Sequence, residues 1–182
     1  MLEIWNEKIA EYGFEVYKYR KEFINKIIKK INKIHNQITD NKEQIKIEYQ
    51  SDCRDKDKFL ELLKKQENID IIKGYTSKGI HRDDFYIYIN ENQVNIYGSQ
   101  GQHRTVILSL KLSELEIIYD EIGEYPILLL DDFMSELDQK RRKNFLDNIR
   151  NTQVLITCTD DINIENTNCG KYKVIKGNIQ KI

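Results

Sequence analysis

Apolar residues recur along the first forty positions at Trp5, Ile9, Tyr12, Val16, Tyr19, Phe23, Ile27, Ile31, Ile34 and Ile38, spaced 4-3-4-3-4 and then 4-4-3-4. That stripe predicts one long helix over residues 1–39 with a near-heptad seam. At 1.5 Å per residue it would run about 55–60 Å, so it needs a partner along its length, and half of an antiparallel helical arm is the expected form. The alternation Ile45, Ile47, Tyr49 in "QIKIEYQSD" predicts a strand, with Ser51 or Asp52 as the cap of a second helix that carries Phe59, Leu60, Leu62 and Leu63. "FYIYINENQVNIY" holds two alternating runs around Asn90-Glu91-Asn92 and predicts a β-hairpin. A helix follows over about 102–121, then a strand at 127–130, a short helix near 139–149, a strand at 153–157 and a pair of strands near 171–182. Strands alternating with helices predict an α/β fold with a partly parallel sheet.

Composition narrows the class. The chain has 182 residues, a formal charge of −1, 40% hydrophobic and 32% charged residues, which suits a globular protein with a buried core. Near-neutrality argues against a simple basic nucleic-acid binder but leaves room for a local patch. Cys53, Cys158 and Cys169 are far apart and form no metal spacing with the three histidines, so a reducing, cytoplasmic setting is expected. No apolar run is long enough to cross a bilayer, and the polar-interleaved "MLEIWNEKIAEYG" does not read as a signal peptide. Between Lys18 and Lys33 there are seven basic residues against Glu22 alone. Lys26, Lys29, Lys30 and Lys33 share a helix face, which is either a phosphate-facing stripe or a solvated one.

Three phrases carry candidate chemistry. "ILLLDD" is a buried-strand run ending in Asp131 and Asp132, where open parallel sheets place their ligands. Adjacent carboxylates on an extended chain point in different directions, so one can hold Mg²⁺ and the other orient a water, unless they merely cap the next turn. "YGSQGQHRT" puts small residues before a helix N-terminus, where backbone N–H groups and the Ser99, Gln100 and Gln102 side chains can meet an anion or form a plain turn. "SELD" supplies Ser135 and Asp138, both able to cap a helix.

Taken in order, "YGSQGQHRTVILSLKLSELEIIYDEIGEYPILLLDDFMSELDQKRR" resembles the RecF family of ABC/SMC-type ATPases of bacterial DNA replication and repair. "GIHRDDFYIYIN" and "QVLITCTDD" match the same pattern, apart from Ile80 where the family usually has proline. The resemblance implies the C-terminal half of an ABC/SMC-type P-loop ATPase head, a mixed sheet with helices, plus a helical arm. The arm would be residues 1–73 and the head lobe 74–182.

In that family ATP is sandwiched between two heads. The resemblance would make Ser99, Gln100, Gly101 and Gln102 a signature clamp acting in trans. Asp131 would be the Mg²⁺-holding Walker B acid, and Asp132 would stand where related ATPases carry a water-polarising glutamate. Ser135, Glu136, Leu137 and Asp138 would form the D-loop, and Thr159 the switch position. Lys26, Lys29, Lys30, Lys33, His81, Arg82 and Arg104 are the candidate DNA contacts, although Arg82 could instead pair with Asp83 or Asp84. Arg104 stands in a helix's first turn, where a cation opposes the dipole, so a nearby phosphate or a dimer contact would account for it.

The implied partners are ATP with Mg²⁺, an ATP-dependent homodimer, gapped or single-stranded DNA, RecO and RecR, and RecA loading in recombinational repair and the SOS response. No G-x-x-x-x-G-K-[ST] loop occurs in the chain. Its Gly170-Lys171 pair is followed by Tyr172. The expectation is therefore half a nucleotide site, negligible ATP affinity and no ATPase activity in isolation, and exposed strand edges and apolar surface. Another SMC-like ATPase, a metal-dependent nuclease using Asp131 and Asp132, and a non-enzymatic assembly module remain as other readings.

Overall fold

A computed structural model of the chain describes residues 2–132, 137–149, 152–159 and 169–182. Its spine is α1 (Leu2–Thr39), the long helix that the periodicity predicts. Strand β1 (Ile45–Gln50) follows, then α2 (Lys56–Lys73), a 3₁₀ turn at Ile80–Arg82, and strands β2 (Asp84–Ile89) and β3 (Asn92–Gln93). One helical turn, α3 (Val94–Tyr97), leads into α4 (Gln100–Ile122). The remainder is β4 (Leu128–Leu130), α5 (Gln139–Asn148), β5 (Val154–Ile156) and the hairpin β6 (Tyr172–Ile175) with β7 (Asn178–Lys181).

Helix α2 runs back along the N-terminal half of α1, as an antiparallel arm should, but not against the predicted seam. Trp5, Tyr12 and Tyr19 are 61%, 62% and 74% exposed, whereas Ala10 is fully buried. The small residues decide the contact face. A Cβ on Gly13 would lie 3.2 Å from the Phe59 ring, so only a residue without a side chain lets α2 approach this closely. Phe59 and Leu63 fill that interface with Ala10 and Cys53. Of the seam's N-terminal residues Ile9 packs against this cluster, half-buried, and the seam is buried farther on, at Ile27, Ile31, Ile34 and Ile38.

The cap of α2 is Asp55, not Ser51 or Asp52. Its carboxylate accepts the Asp57 and Lys58 backbone N–H groups, both at 3.0 Å. Ser51 instead accepts the Cys53 N–H.

The predicted hairpin forms only in part. β2 pairs antiparallel with β1 over its whole length, but with β3 at just two positions. Asn90 and Glu91 make the two-residue turn at φ 47° and 69°. The chain then coils because Val94 is drawn into the core beside Val106, and Gly98 N–H closes the turn on the Val94 carbonyl at 2.8 Å.

Helix α4 lies antiparallel against the C-terminal half of α1, pinned by Lys26–Glu121 at 2.7 Å and Lys30–Asp120 at 2.6 Å. β4 and β5 pair in parallel, with α5 as the crossover, and Leu128 and Leu130 point into a core with Leu108, Leu112 and Phe145. On the other face of this pair, Leu129 is 69% and Leu155 56% exposed. The continuous apolar run is thus buried on one face here, not two. Phe145 is fully buried under α1, α4 and the parallel pair. Truncating it in Phe145→Ala is expected to cost about 3–5 kcal/mol, seen as a lower urea midpoint with an unchanged slope.

Candidate nucleotide-facing site

The loop before α4 is shaped by its glycine. A Cβ on Gly98 would fall 2.5 Å from the Val94 carbonyl oxygen, so the turn out of α3 admits no side chain. Ser99 is the N-cap of α4, which begins at Gln100, two residues earlier than the predicted helix start. Its hydroxyl accepts Gln102 N–H at 3.2 Å, and Gln102 Oε1 accepts Ser99 N–H at 3.0 Å, a reciprocal capping box. Ser99 and Gln100 are exposed, and Gly101 and Gln102 half-buried. The amide nitrogen of Gln102 turns inward and donates to Glu43 Oε1 at 3.2 Å. The four residues named from the sequence therefore split, with Ser99 and Gln100 facing outward and Gln102 tied to the interior.

Asp131 and Asp132 lie directly beyond the C-terminal end of β4, and both are exposed. Thr157, just past β5, organises them. The parallel register sets Leu130 beside Ile156, and Thr157 N–H donates to the Leu130 carbonyl at 2.9 Å. Its hydroxyl donates to Asp131 Oδ1 and accepts the Asp132 N–H at 3.1 Å. Asp132 takes φ 44°, a left-handed conformation that aspartate tolerates better than most residues. Thr157 was not singled out from the sequence, although its place one residue past a parallel strand was a usable signal. Thr159 is exposed, and it is Thr157 that bonds Asp131.

Of the D-loop positions, Ser135 and Glu136 lie outside the described residues. Leu137 is a core residue at 3% exposure, and Asp138 caps α5 by accepting Arg141 N–H at 2.9 Å. Arg141 connects this helix start to the start of α4. It donates to Glu43 Oε1 at 2.9 Å, beside Gln102, and its Nη1 would sit 3.2 Å from a Cβ on Gly101. The structure thus gathers Gly101, Gln102 and Asp138 around Arg141 and Glu43.

The basic candidates are dispersed. Lys26 and Lys30 are spent on α4 carboxylates, with Lys26 raised above its usual pKa by the Glu121 hydrogen bond. Lys29 and Lys33 line a cleft of about 460 Å³ with Glu116, Tyr125 and Asp147. His81 Nε2 donates to the Thr76 carbonyl at 2.9 Å, and Arg82 lies over the Tyr75 ring at 5.8 Å. It is Arg20 and Tyr49, not Arg82, that engage Asp83. The Tyr49 hydroxyl is pushed up to about 12 by burial and by Asp83. Arg104 is half-buried as the fifth residue of α4, two residues further into the helix than the predicted start near 102 placed it.

A mixed α/β lobe with a capped signature-like loop, a parallel strand ending in two acids and a long helical arm defines the C-terminal half of an ABC/SMC-type ATPase head. No family model matches the chain. Among individual proteins, it is 43% identical over 187 residues to the DNA replication and repair protein RecF of Clostridium perfringens strain SM101, and 42% identical over 184 residues to that of Clostridium tetani. These alignments take in 99% and 97% of this chain and 52% and 50% of the relatives. Two solved structures of the recombination mediator protein RecF in the RecFOR pathway, one as RecF-ATP and one as RecF-ATPrS, superpose with a TM-score of 0.79. They are 37% and 35% identical and cover all of this chain and 50% of theirs. Over nearly all of its length the chain thus resembles the C-terminal half of RecF, and it spans about half the length of the curated relatives it matches.

The buried His35 beside this site gives a pH signature. Desolvation lowers its pKa below the ordinary 6.5, with Glu43 opposing and Arg141 reinforcing the shift. The unfolded chain then binds more protons, so stability is fully present above about pH 6.5 and is lost as pH falls toward the lowered native value. Urea unfolding between pH 5 and 8 should show this slope, and His35→Gln should flatten it.

Proposed function

We propose that this chain is the C-terminal lobe of a RecF-type, ATP-switched DNA-repair protein. The observation that carries the reading is the exposed Ser99-Gln100 cap of α4 on the same lobe as an exposed acid pair at the β4 rim. The Ser99 oxygen accepts one amide, which leaves its proton to donate outward. The Gln100 and Gly101 amides stand in the first turn of a 23-residue helix, where backbone N–H groups lack intrahelical acceptors. Together they suit the terminal phosphate of a nucleotide held by a second subunit.

Asp131 offers an exposed carboxylate with one oxygen steadied by Thr157. Hard oxygen donors of this kind fit Mg²⁺ bound through one or two protein oxygens and waters. Bound there, the ion would supply charge neutralisation on the phosphates. Asp132, held in place through its backbone N–H, is the residue to orient a water, with a shorter reach than glutamate. Among the described residues no group of three His, Cys, Asp or Glu side chains converges on Asp131 and Asp132. Among the described residues no helix is long and apolar enough to cross a membrane.

In this reading ATP binding closes a homodimer on gapped or single-stranded DNA, with RecO and RecR as partners and RecA loading as the outcome. Lys29 and Lys33 are better placed than Lys26 and Lys30 to meet DNA phosphates, because the latter pair already hold carboxylates.

The test joins this chain to the N-terminal half of the C. perfringens relative and follows dimerisation by light scattering. Mg-ATP should drive dimer formation, and Ser99→Ala should weaken it at least tenfold while leaving nucleotide affinity per subunit intact. Asp131→Asn should weaken Mg²⁺-dependent nucleotide binding itself. Dimerisation indifferent to both ATP and Ser99→Ala would remove the proposal.

A further inference from the structure

Glu43 lies in the turn between α1 and β1, with its side chain only 10% exposed. Both of its oxygens are engaged. Oε1 accepts from Gln102 Nε2 at 3.2 Å and from Arg141 Nη2 at 2.9 Å, and Oε2 faces His35 Nε2 at 3.2 Å. These partners are 59, 98 and 8 residues away in sequence and belong to α4, α5 and α1. Gln102 uses its remaining amide atom on the Ser99 backbone, and Arg141 is the residue that Asp138 caps. A single carboxylate therefore joins the start of the clamp helix to the start of the helix after the D-loop segment.

We propose that Glu43 is a positioning residue for the clamp, holding Gln102 and Arg141 together so that Ser99 and Asp138 move as one unit. The inference rests on the clamp reading of Ser99 and adds residues that reading does not contain. A buried carboxylate with three donors has little freedom to shift without leaving a charge unpaired. Gln102 cannot rotate outward without giving up Glu43, and Arg141 cannot retreat without uncovering Gly101.

The same geometry fixes a tautomer. His35 Nδ1 lies 2.9 Å from Ser109 Oγ, and that hydroxyl is also 2.8 Å from the Thr105 carbonyl. A hydroxyl has one proton. With a neutral ring, Glu43 requires the proton on Nε2, so Ser109 donates to Nδ1. In Glu43→Gln the new amide keeps an acceptor for Gln102 and Arg141 and turns its N–H toward His35. The ring must then carry its proton on Nδ1, and Ser109 donates to Thr105 instead.

The experiment has two arms. In the fusion described above, Glu43→Ala should weaken ATP-dependent dimerisation at least tenfold with nucleotide affinity per subunit unchanged, and Glu43→Gln should stay within about threefold of the parent. In this chain, ¹⁵N-histidine spectra should show His35 moving from the Nε2–H to the Nδ1–H form on Glu43→Gln. If Glu43→Ala fails to fold, Arg141→Met carries the same expectation. Folded Glu43→Ala or Arg141→Met that dimerises like the parent, while Ser99→Ala does not, overturns the positioning role alone. Should Ser99→Ala also leave dimerisation unchanged, the clamp reading falls and this inference with it. An unchanged His35 tautomer in Glu43→Gln counts against the hydrogen-bond arrangement on which the inference stands.

Discussion

A carboxylate removed from water must be met by donors, and the position of Glu43 makes that demand felt across the lobe. The turn after α1 carries the charge inward, where burying it unpaired would cost several kcal/mol. Gln102, Arg141 and His35 meet it from three different helices. Each donor is in turn bound to something that faces outward or leads to it: Ser99 through the capping box, Asp138 through the α5 cap, Ser109 through the interior of α4. The arm helix is therefore not an appendage to the end of the lobe that carries Ser99 and Asp138. Its C-terminal turns and the residues just beyond it are part of that end's support.

The acid pair obeys a different constraint. In a parallel pair the residue after one strand lies beside the residue after the other, so the chemistry at the rim is written by both strand ends at once. Thr157 satisfies Asp131 with its hydroxyl proton and Asp132 with its oxygen, and fixes itself through the Leu130 carbonyl. One side chain thereby holds two consecutive residues in distinct orientations. A left-handed Asp132 follows from that double attachment.

How far the sequence could be read depended on whether the deciding contact was local. α4, the parallel pair and the α5 crossover were legible because periodicity, caps and an apolar run all act within a few residues. Asp138 as the cap of α5, and the place of Asp131 and Asp132 directly after β4, were legible for the same reason. The N-terminal seam of α1 was not, because the preference of α2 for Ala10 and Gly13 over Trp5 and Tyr12 is a matter of how closely two backbones can approach, which no heptad count contains. The second hairpin strand failed likewise: alternation in "QVNIY" favoured extension, and the burial of Val94 overrode it. Arg20 rather than Arg82 holding Asp83, and Glu43 holding Gln102, are contacts across 63 and 59 residues that leave no local trace.

The exposed face of the parallel pair bears on the acids more than on solubility. β4 and β5 are three residues each, and among the described residues each pairs only with the other. Leu129 and Leu155 stand outward, 69% and 56% exposed. Two short parallel strands covered on one face are weakly determined, since parallel sheets are ordinarily covered on both. Any polypeptide that adds a strand or covers Leu129 and Leu155 stiffens the backbone from which Asp131 projects, whether it comes from the same chain or another. Precision at the rim is thus coupled to completion of the sheet: the hydroxyl of Thr157 sets the direction of Asp131, but the sheet sets where both of them are.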